Sequence, residues 1–260
     1  MRPVSHYGRA VTYSKVGLMV LAEQFEQRTV DTTMSSFSSR IPLTTPSGPQ
    51  WTESELEAEL VEQIAFSPGV YDIITQPIIR YPGPDGKERR YTPDIAVQLY
   101  AAGDDPSTRY IIEVKRSADI EANREKYATK FQAAQTAAEQ MGASFRILTE
   151  NEIRTPFLKN TRLLGHHLKI SLSDDEVEQA LRLGESQPKT IAEAIKFLAG
   201  RIGELDAREA VEKLVVYRMI HCDLSLPFSD QLPIAFRKMH AMAAPREDPI
   251  LRLIRDSSSN

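Results

Sequence analysis

The sequence contains a single cysteine, Cys222. That excludes an internal disulfide and any structural zinc site built from several thiolates, and a reducing cytoplasm is the simplest location expected. No apolar run is long enough to cross a bilayer. The opening residues, Met1 to Tyr7, lack the apolar stretch of a signal peptide, so no membrane association is expected. The histidines, His6, His166, His167, His221 and His240, show no metal-ligand spacing. A Walker phosphate loop, a G-x-S-x-G elbow and a dinucleotide fingerprint are all missing. Positive charge is not in excess: 32 basic against 36 acidic residues leave a net charge of −4. Such a chain does not coat DNA by bulk electrostatics. A nuclease with local basic residues, or one brought to DNA by a partner, remains open.

What is present reads as three regions. Residues 1–50 form an N-terminal arm or irregular segment. Val16 to Phe25 suits a short strand or helix, and Asp31 to Gln50 is dense in Ser, Thr and Pro. Residues 51–169 alternate between periods. A helix carries Leu56, Leu60 and Ile64 on one stripe and has two capping registers, Thr52 with Glu55 and Ser54 with Glu57. Ser67-Pro68-Gly69 ends it. Val70 to Tyr81 is β-like but interrupted at Gln76-Pro77, and Pro82 to Gly86 is a turn. Tyr91 to Tyr100 returns as a strand, Ala102 to Pro106 turns the chain, and Tyr110 to Val114 is a central apolar strand.

The spacing of Tyr127, Phe131, Ala134, Ala138 and Met141 predicts one long helix over Ile120 to Met141, stopped by Gly142. Phe145 to Thr149 adds a strand. The expected fold is α/β, a mixed sheet flanked by helices. Residues 170–260 read as a smaller all-α domain, for which a winged-helix-like form is one option. Its expected helices are Asp174 to Leu183, Thr190 to Ala199 and Ala207 to Ile220, with a last one over Pro233 to Met242.

Chemistry concentrates in the middle region. Glu113 and Lys115 share one face near the end of the Tyr110 strand, and Pro93-Asp94 opens the preceding strand. If those strands pair through the intervening turn, Asp94 approaches Glu113. Two carboxylates and an amine so placed can hold a divalent cation, orient a water and offset phosphorane charge. Among the acids of the first helix, Glu55, Glu59 and Glu62 line the polar face, whereas Glu57 lines up with Leu60, Val61 and Ile64. Glu57 therefore either ligates the cation as a third acid or bonds back to Ser54 as a capping-box residue. Gln76 is expected to have a structural role. Lys126, Lys130 and Gln132 read as a solvated helix face that could reach DNA phosphates. Lys87, Arg89, Arg90, Arg109, Arg116 and Arg124 make the neighbourhood basic. His166-His167 reads as a polar loop, and Cys222 as a core thiol.

The Pro93-Asp94 and Glu113-x-Lys115 elements resemble those of PD-(D/E)xK nucleases. The wider pattern resembles the TnsA-type endonuclease subunit of heteromeric transposases from about Trp51 to Lys169, with Glu53 to Glu57, Val70, Gln76-Pro77, Tyr91 to Asp94, Ile112 to Lys115 and Phe145 to Ile153 as its pieces. A weaker echo covers Leu214 to Ile234. The resemblance implies a restriction-endonuclease-like fold with a helical partner-binding C-terminal domain. It implies Glu57, Asp94 and Glu113 as metal ligands, Lys115 as the catalytic lysine, and Mg2+ as cofactor with Mn2+ able to substitute. The activity implied is nicking of the 5′ ends of a transposon, alongside a DDE transposase subunit and an AAA+ ATPase regulator. Two other readings are a stand-alone restriction- or resolvase-type nuclease and an inactive nuclease-fold DNA-binding module.

Overall fold

The computed structural model describes residues 18–28, 38–83, 85–100, 108–169, 171–236 and 248–256. The turn expected at Ala102 to Pro106, His6, His240 and the end of the Pro233–Met242 segment lie outside them. The chain divides into two compact units, residues 18–154 with 250–256 in one and Thr155–Pro249 in the other.

In the first unit, α1 (Leu21–Gln24), β1 (Glu26–Gln27), β2 (Ser39–Ile41) and β3 (Gln50–Thr52) precede α2 (Glu55–Phe66). The segment expected as an arm is packed down where it is described. Asp72 is fully buried, and its carboxylate accepts the Leu21 N–H at 2.7 Å, the Ser47 N–H at 2.9 Å and the Ser47 hydroxyl at 2.6 Å. A buried carboxylate needs such partners, so it draws the loop onto the sheet. Of the two capping registers, Ser54 is the one used; Thr52 is buried in β3.

Next come β4 (Val70–Thr75), β5 (Pro77–Pro82), β6 (Glu88–Tyr91), β7 (Ile95–Leu99) and β8 (Arg109–Val114). They are followed by α3 (Ser117–Ala122), α4 (Arg124–Gln140), β9 (Ser144–Leu148) and α5 (Glu150–Ile153). The main sheet has the order β4-β7-β8-β9, with β8 and β9 parallel and the other pairs antiparallel. β7 is buried along its whole length, which explains why its sequence is nearly all apolar.

A second sheet has the order β1-β5-β6. The chain passes between the sheets twice, at Gln76 and again at Thr92-Pro93-Asp94. Pro93 cannot donate to a ladder, so the strand expected over Tyr91–Tyr100 breaks there. Gln76 turns with φ 51° and donates its N–H to the Asp94 carbonyl at 2.9 Å, joining the two break points.

The helix expected over Ile120–Met141 is two helices. Asn123 breaks it by bonding its side chain to the Asp119 carbonyl at 3.1 Å and carboxylate at 2.9 Å, in competition with the helix backbone. Beyond the break the apolar stripe holds: Ala134 and Ala138 are fully buried, and Phe131 and Met141 pack on the same cluster. Gly142 ends α4 at φ 63°, a conformation that glycine adopts without penalty. This unit is a mixed α/β fold of the restriction-endonuclease-like kind.

The second unit contains α6 (Pro156–Leu164), a 3-10 turn (Gly165–Lys169), α7 (Asp174–Ser186), α8 (Ile191–Ile202) and α9 (Glu204–Val216). It is not all-α. β10 (Ile220–Cys222) pairs antiparallel with β11 (Ile234–Phe236), whereas the sequence pattern predicts a helix ending at Ile220 and another over Ile234–Phe236. Arg218 at φ 59° ends the helical run before Ile220, and Pro233 introduces a short β-favouring triplet.

The division falls at Arg154 rather than near 170, because α6 belongs to the second unit. Its Asn160 donates to the Leu224 and Leu226 carbonyls at 2.8 Å each and accepts the Phe228 N–H at 2.9 Å. Conversely α10 (Pro249–Asp256), expected in the C-terminal domain, packs with the first unit from Ile250 onward. It buries Ile250, Leu251 and Ile254, and Arg146 donates to its Ile254 carbonyl at 2.7 Å. Among the described residues no helix is long and apolar enough to cross a membrane.

Candidate active site

Ile95 pairs with Ile112 across β7 and β8, so the residue before one strand faces the residue after the other pair: Asp94 lies beside Glu113. Lys115 joins them. Its ammonium is 3.2 Å from Asp94 Oδ2 and 2.9 Å from Glu113 Oε1, and it also donates to the Val114 carbonyl at 2.9 Å. Asp94 Oδ2 accepts the Val114 N–H at 2.7 Å as well. The Glu113 side chain is only 1% exposed. Its Oε2 accepts the Tyr91 hydroxyl, and its Oε1 accepts a second ammonium, that of Lys130.

Glu57 is buried beside this group but bonded elsewhere. Its carboxylate accepts the Ser54 hydroxyl at 2.8 Å and the Glu53 N–H at 3.0 Å, while Ser54 Oγ accepts the Glu57 N–H at 3.2 Å. This is the capping-box alternative. Gln76 points its amide at Glu57 from 3.5 Å and accepts Arg28 at 2.8 Å, so it does more than close a strand. Among the described residues no three acids, histidines or cysteines lie close enough to grip one ion together. Two carboxylates and Lys115 converge; the third acid is bonded into its helix cap and acts on Asp94 and Lys115 through its charge. Ser54→Ala, which removes the cap, is expected to lower the unfolding free energy by about 1 kcal/mol in urea denaturation.

The electrostatics of the cluster are strongly skewed. Burial, and then the Glu113 charge, push the Asp94 carboxyl up to about 7 against the pull of Lys115. Burial also acts on Glu113, but Lys115 and the hydrogen bonds from Lys130 and Tyr91 outweigh it and hold that carboxyl below its ordinary value. Burial opposes the charge on Lys115, yet the two carboxylates hold its ammonium above the usual lysine range. Glu57 is raised, chiefly by burial, and Tyr91 is raised by burial and by Glu113. Asp94 thus retains an unmet demand for positive charge that one lysine does not satisfy. The donor set is all oxygen and would suit a hard cation such as Mg2+ or Mn2+, which Asp94 and Glu113 could hold, with Glu57 able to join only by leaving its cap.

Other expectations fare differently. Arg109 is not near the cluster: it donates to Gln24 at 2.9 Å and to the Met141 carbonyl at 2.6 Å, at the opposite end of β8. Glu59, read as solvent-facing, is buried against Arg154, whose Nε lies 2.7 Å away. His167 is buried rather than in a polar loop, 3.3 Å from Glu212. Burial pushes the Cys222 thiol up to about 12, which makes it a poor nucleophile.

Sequence reasoning missed Tyr91 and undervalued Lys130. A signal for Lys130 was available. It sits three residues after Tyr127 and four before Ala134, on the edge of the buried stripe rather than off it.

Residues 67–150 match the family model described as the TnsA-like endonuclease N-terminal domain. The match takes in Tyr91, Asp94, Glu113, Lys115 and Lys130 and begins after Glu57. No curated protein matches the chain. Residues 67–150 are thus similar to the N-terminal domain of TnsA-like endonucleases.

Proposed function

We propose that this protein is a metal-dependent DNA endonuclease that nicks the 5′ ends of a transposon during cut-and-paste transposition. It works with a DDE transposase subunit and an AAA+ ATPase regulator. The observation that carries the reading is the buried Asp94–Lys115–Glu113 cluster at the point where the chain changes sheets. Asp94 and Glu113 hold Mg2+, or Mn2+ in its place, and Glu57 is the third acid. The ion, when bound, supplies Lewis-acid stabilisation of the phosphoryl oxygens and acidifies a water.

Lys115 keeps a full positive charge inside the cluster, where it can orient that water and offset charge as the phosphorane forms. Tyr91 donates its proton toward Glu113 and fixes that carboxylate's orientation. The exposed Arg116 and Arg124, with Lys87 and Arg90 on the β5–β6 hairpin, supply phosphate contacts that a net acidic chain must concentrate locally.

The acidic charge and the separate second unit favour dependence on partners over a stand-alone restriction- or resolvase-type nuclease. An inactive DNA-binding module would have no use for an intact pair of buried acids with a lysine between them. The test is strand-specific cleavage of transposon-end DNA, with this chain purified and mixed with a DDE recombinase and an AAA+ ATPase. Nicks at the 5′ ends should need both Mg2+ and the recombinase. Efficient cutting by this chain alone would favour the stand-alone reading, and no 5′ nick under any combination would remove the endonuclease role.

A further inference from the structure

Glu113 Oε1 holds two ammonium groups at once, Lys115 at 2.9 Å and Lys130 at 2.5 Å. Its other oxygen is taken by Tyr91. A cation bound by this carboxylate sits about 2.1 Å from an oxygen. One oxygen cannot accept the ion and both ammoniums, so an amine has to leave.

The two lysines are held unequally. Lys115 is also fixed by Asp94 and by the Val114 carbonyl, and its side chain is 20% exposed. Lys130 has a side chain 39% exposed and comes from a separate helix, α4. Its other neighbour is the face of Tyr91, whose ring centre is 5.7 Å from the ammonium.

We propose that Lys130 is an exchangeable occupant of the cation position. It neutralises Glu113 when no metal is bound, and it is displaced when the ion enters, which frees its charge for a phosphate of the DNA backbone. The long, half-exposed stem allows this without movement of α4. Lys130 is a positioning residue in this scheme, and the scheme rests on the proposed metal site. It explains how a buried carboxylate pair stays folded before metal arrives, since an uncompensated buried charge would be costly.

The test is Mn2+ binding to the full chain, followed by electron paramagnetic resonance, for the wild type, Lys130→Met, Lys130→Arg and Asp94→Ala. Lys130→Met keeps the apolar stem and removes the competing charge. It should bind Mn2+ about tenfold more tightly, because a like charge within a few ångströms of the ion is gone. Lys130→Arg keeps the charge and should bind as the wild type does. In a companion titration of the Mn2+-loaded protein with a 30-base-pair duplex, Lys130→Met should bind more weakly and lose about one unit of salt dependence. Mn2+ affinity that is unchanged or lower in Lys130→Met would overturn the exchange. If Asp94→Ala binds Mn2+ as the wild type does, the metal site itself is wrong and the exchange falls with it. Loss in Asp94→Ala with no gain in Lys130→Met would leave the nuclease reading standing and remove only the role of Lys130.

Discussion

Asp94→Asn is expected to abolish 5′-strand cleavage and, in the same protein, to raise stability at pH 8. The cleavage loss follows from the proposed ligand role, and the stability gain from the acidity of the same carboxyl. The Asp94 carboxyl sits at about 7 in the folded protein against an ordinary value of 3.8. A raised carboxyl favours the folded state while it is protonated. Its contribution is complete below about pH 4 and is lost as the pH rises through about 7. At pH 8 the wild type therefore holds a charged carboxylate in a buried place beside Glu113, and an amide there carries no such charge.

Asn can still accept the Val114 N–H, and Lys115 keeps Glu113 and the Val114 carbonyl. The gain at pH 8 with chelator present should be about 1 kcal/mol or more, and it should vanish by pH 4. Cleavage should fall by about a thousandfold or more, since a neutral amide is a poor ligand for a hard cation. A variant stabilised at pH 8 and dead in cleavage marks a site built for function at the expense of stability. Lower melting temperature at pH 8 than the wild type would instead make Asp94 a structural partner of Lys115.

Most of the first unit was legible because its elements are locally encoded. Alternation and proline placement gave the strands around Asp94 and Glu113, and Ser54 with Glu57 gave the start of α2. What escaped was settled by local side-chain bonds or by tertiary packing, neither of which changes the apolar period. Asn123 splits a helix whose apolar stripe continues on its far side, and a local side-chain bond does not alter that period. Ile220 and Ile234 read as helix because neighbouring residues carry a helical pattern, and only their pairing makes them strands. The short α10 carries a strong stripe, but nothing in a sequence says which unit will cover it.

In the site, Asp94, Glu113 and Lys115 were legible because the spacing places them at paired strand ends. Glu57 had two readings at the sequence level, and its hydrogen bonds follow the cap. Tyr91 was invisible as a site residue, because a tyrosine closing a strand is more often core. Its role comes from a carboxylate on another strand.

The acidity of the same carboxyl predicts how metal affinity varies with pH. A proton and a divalent cation compete for Asp94, because the ligand must be deprotonated to bind. Below about pH 7 the proton holds the advantage, so the apparent Mn2+ affinity should rise about tenfold for each pH unit between pH 5 and about pH 7 and level off above it. Glu113 is held below its ordinary value and adds no step in that window. The sign is opposite to that of stability without metal, which declines over the same range as Asp94 loses its proton. The apo protein is therefore least favoured where the ion binds best, and the stabilisation by Mn2+ in thermal melts should grow steeply from pH 5 to pH 7. Calorimetric titration in buffers of different ionisation enthalpy measures this directly. Close to one proton should leave per ion bound near pH 6 and almost none at pH 8. An affinity flat from pH 5 to pH 7, with no proton released, would mean that the ion does not bind through Asp94.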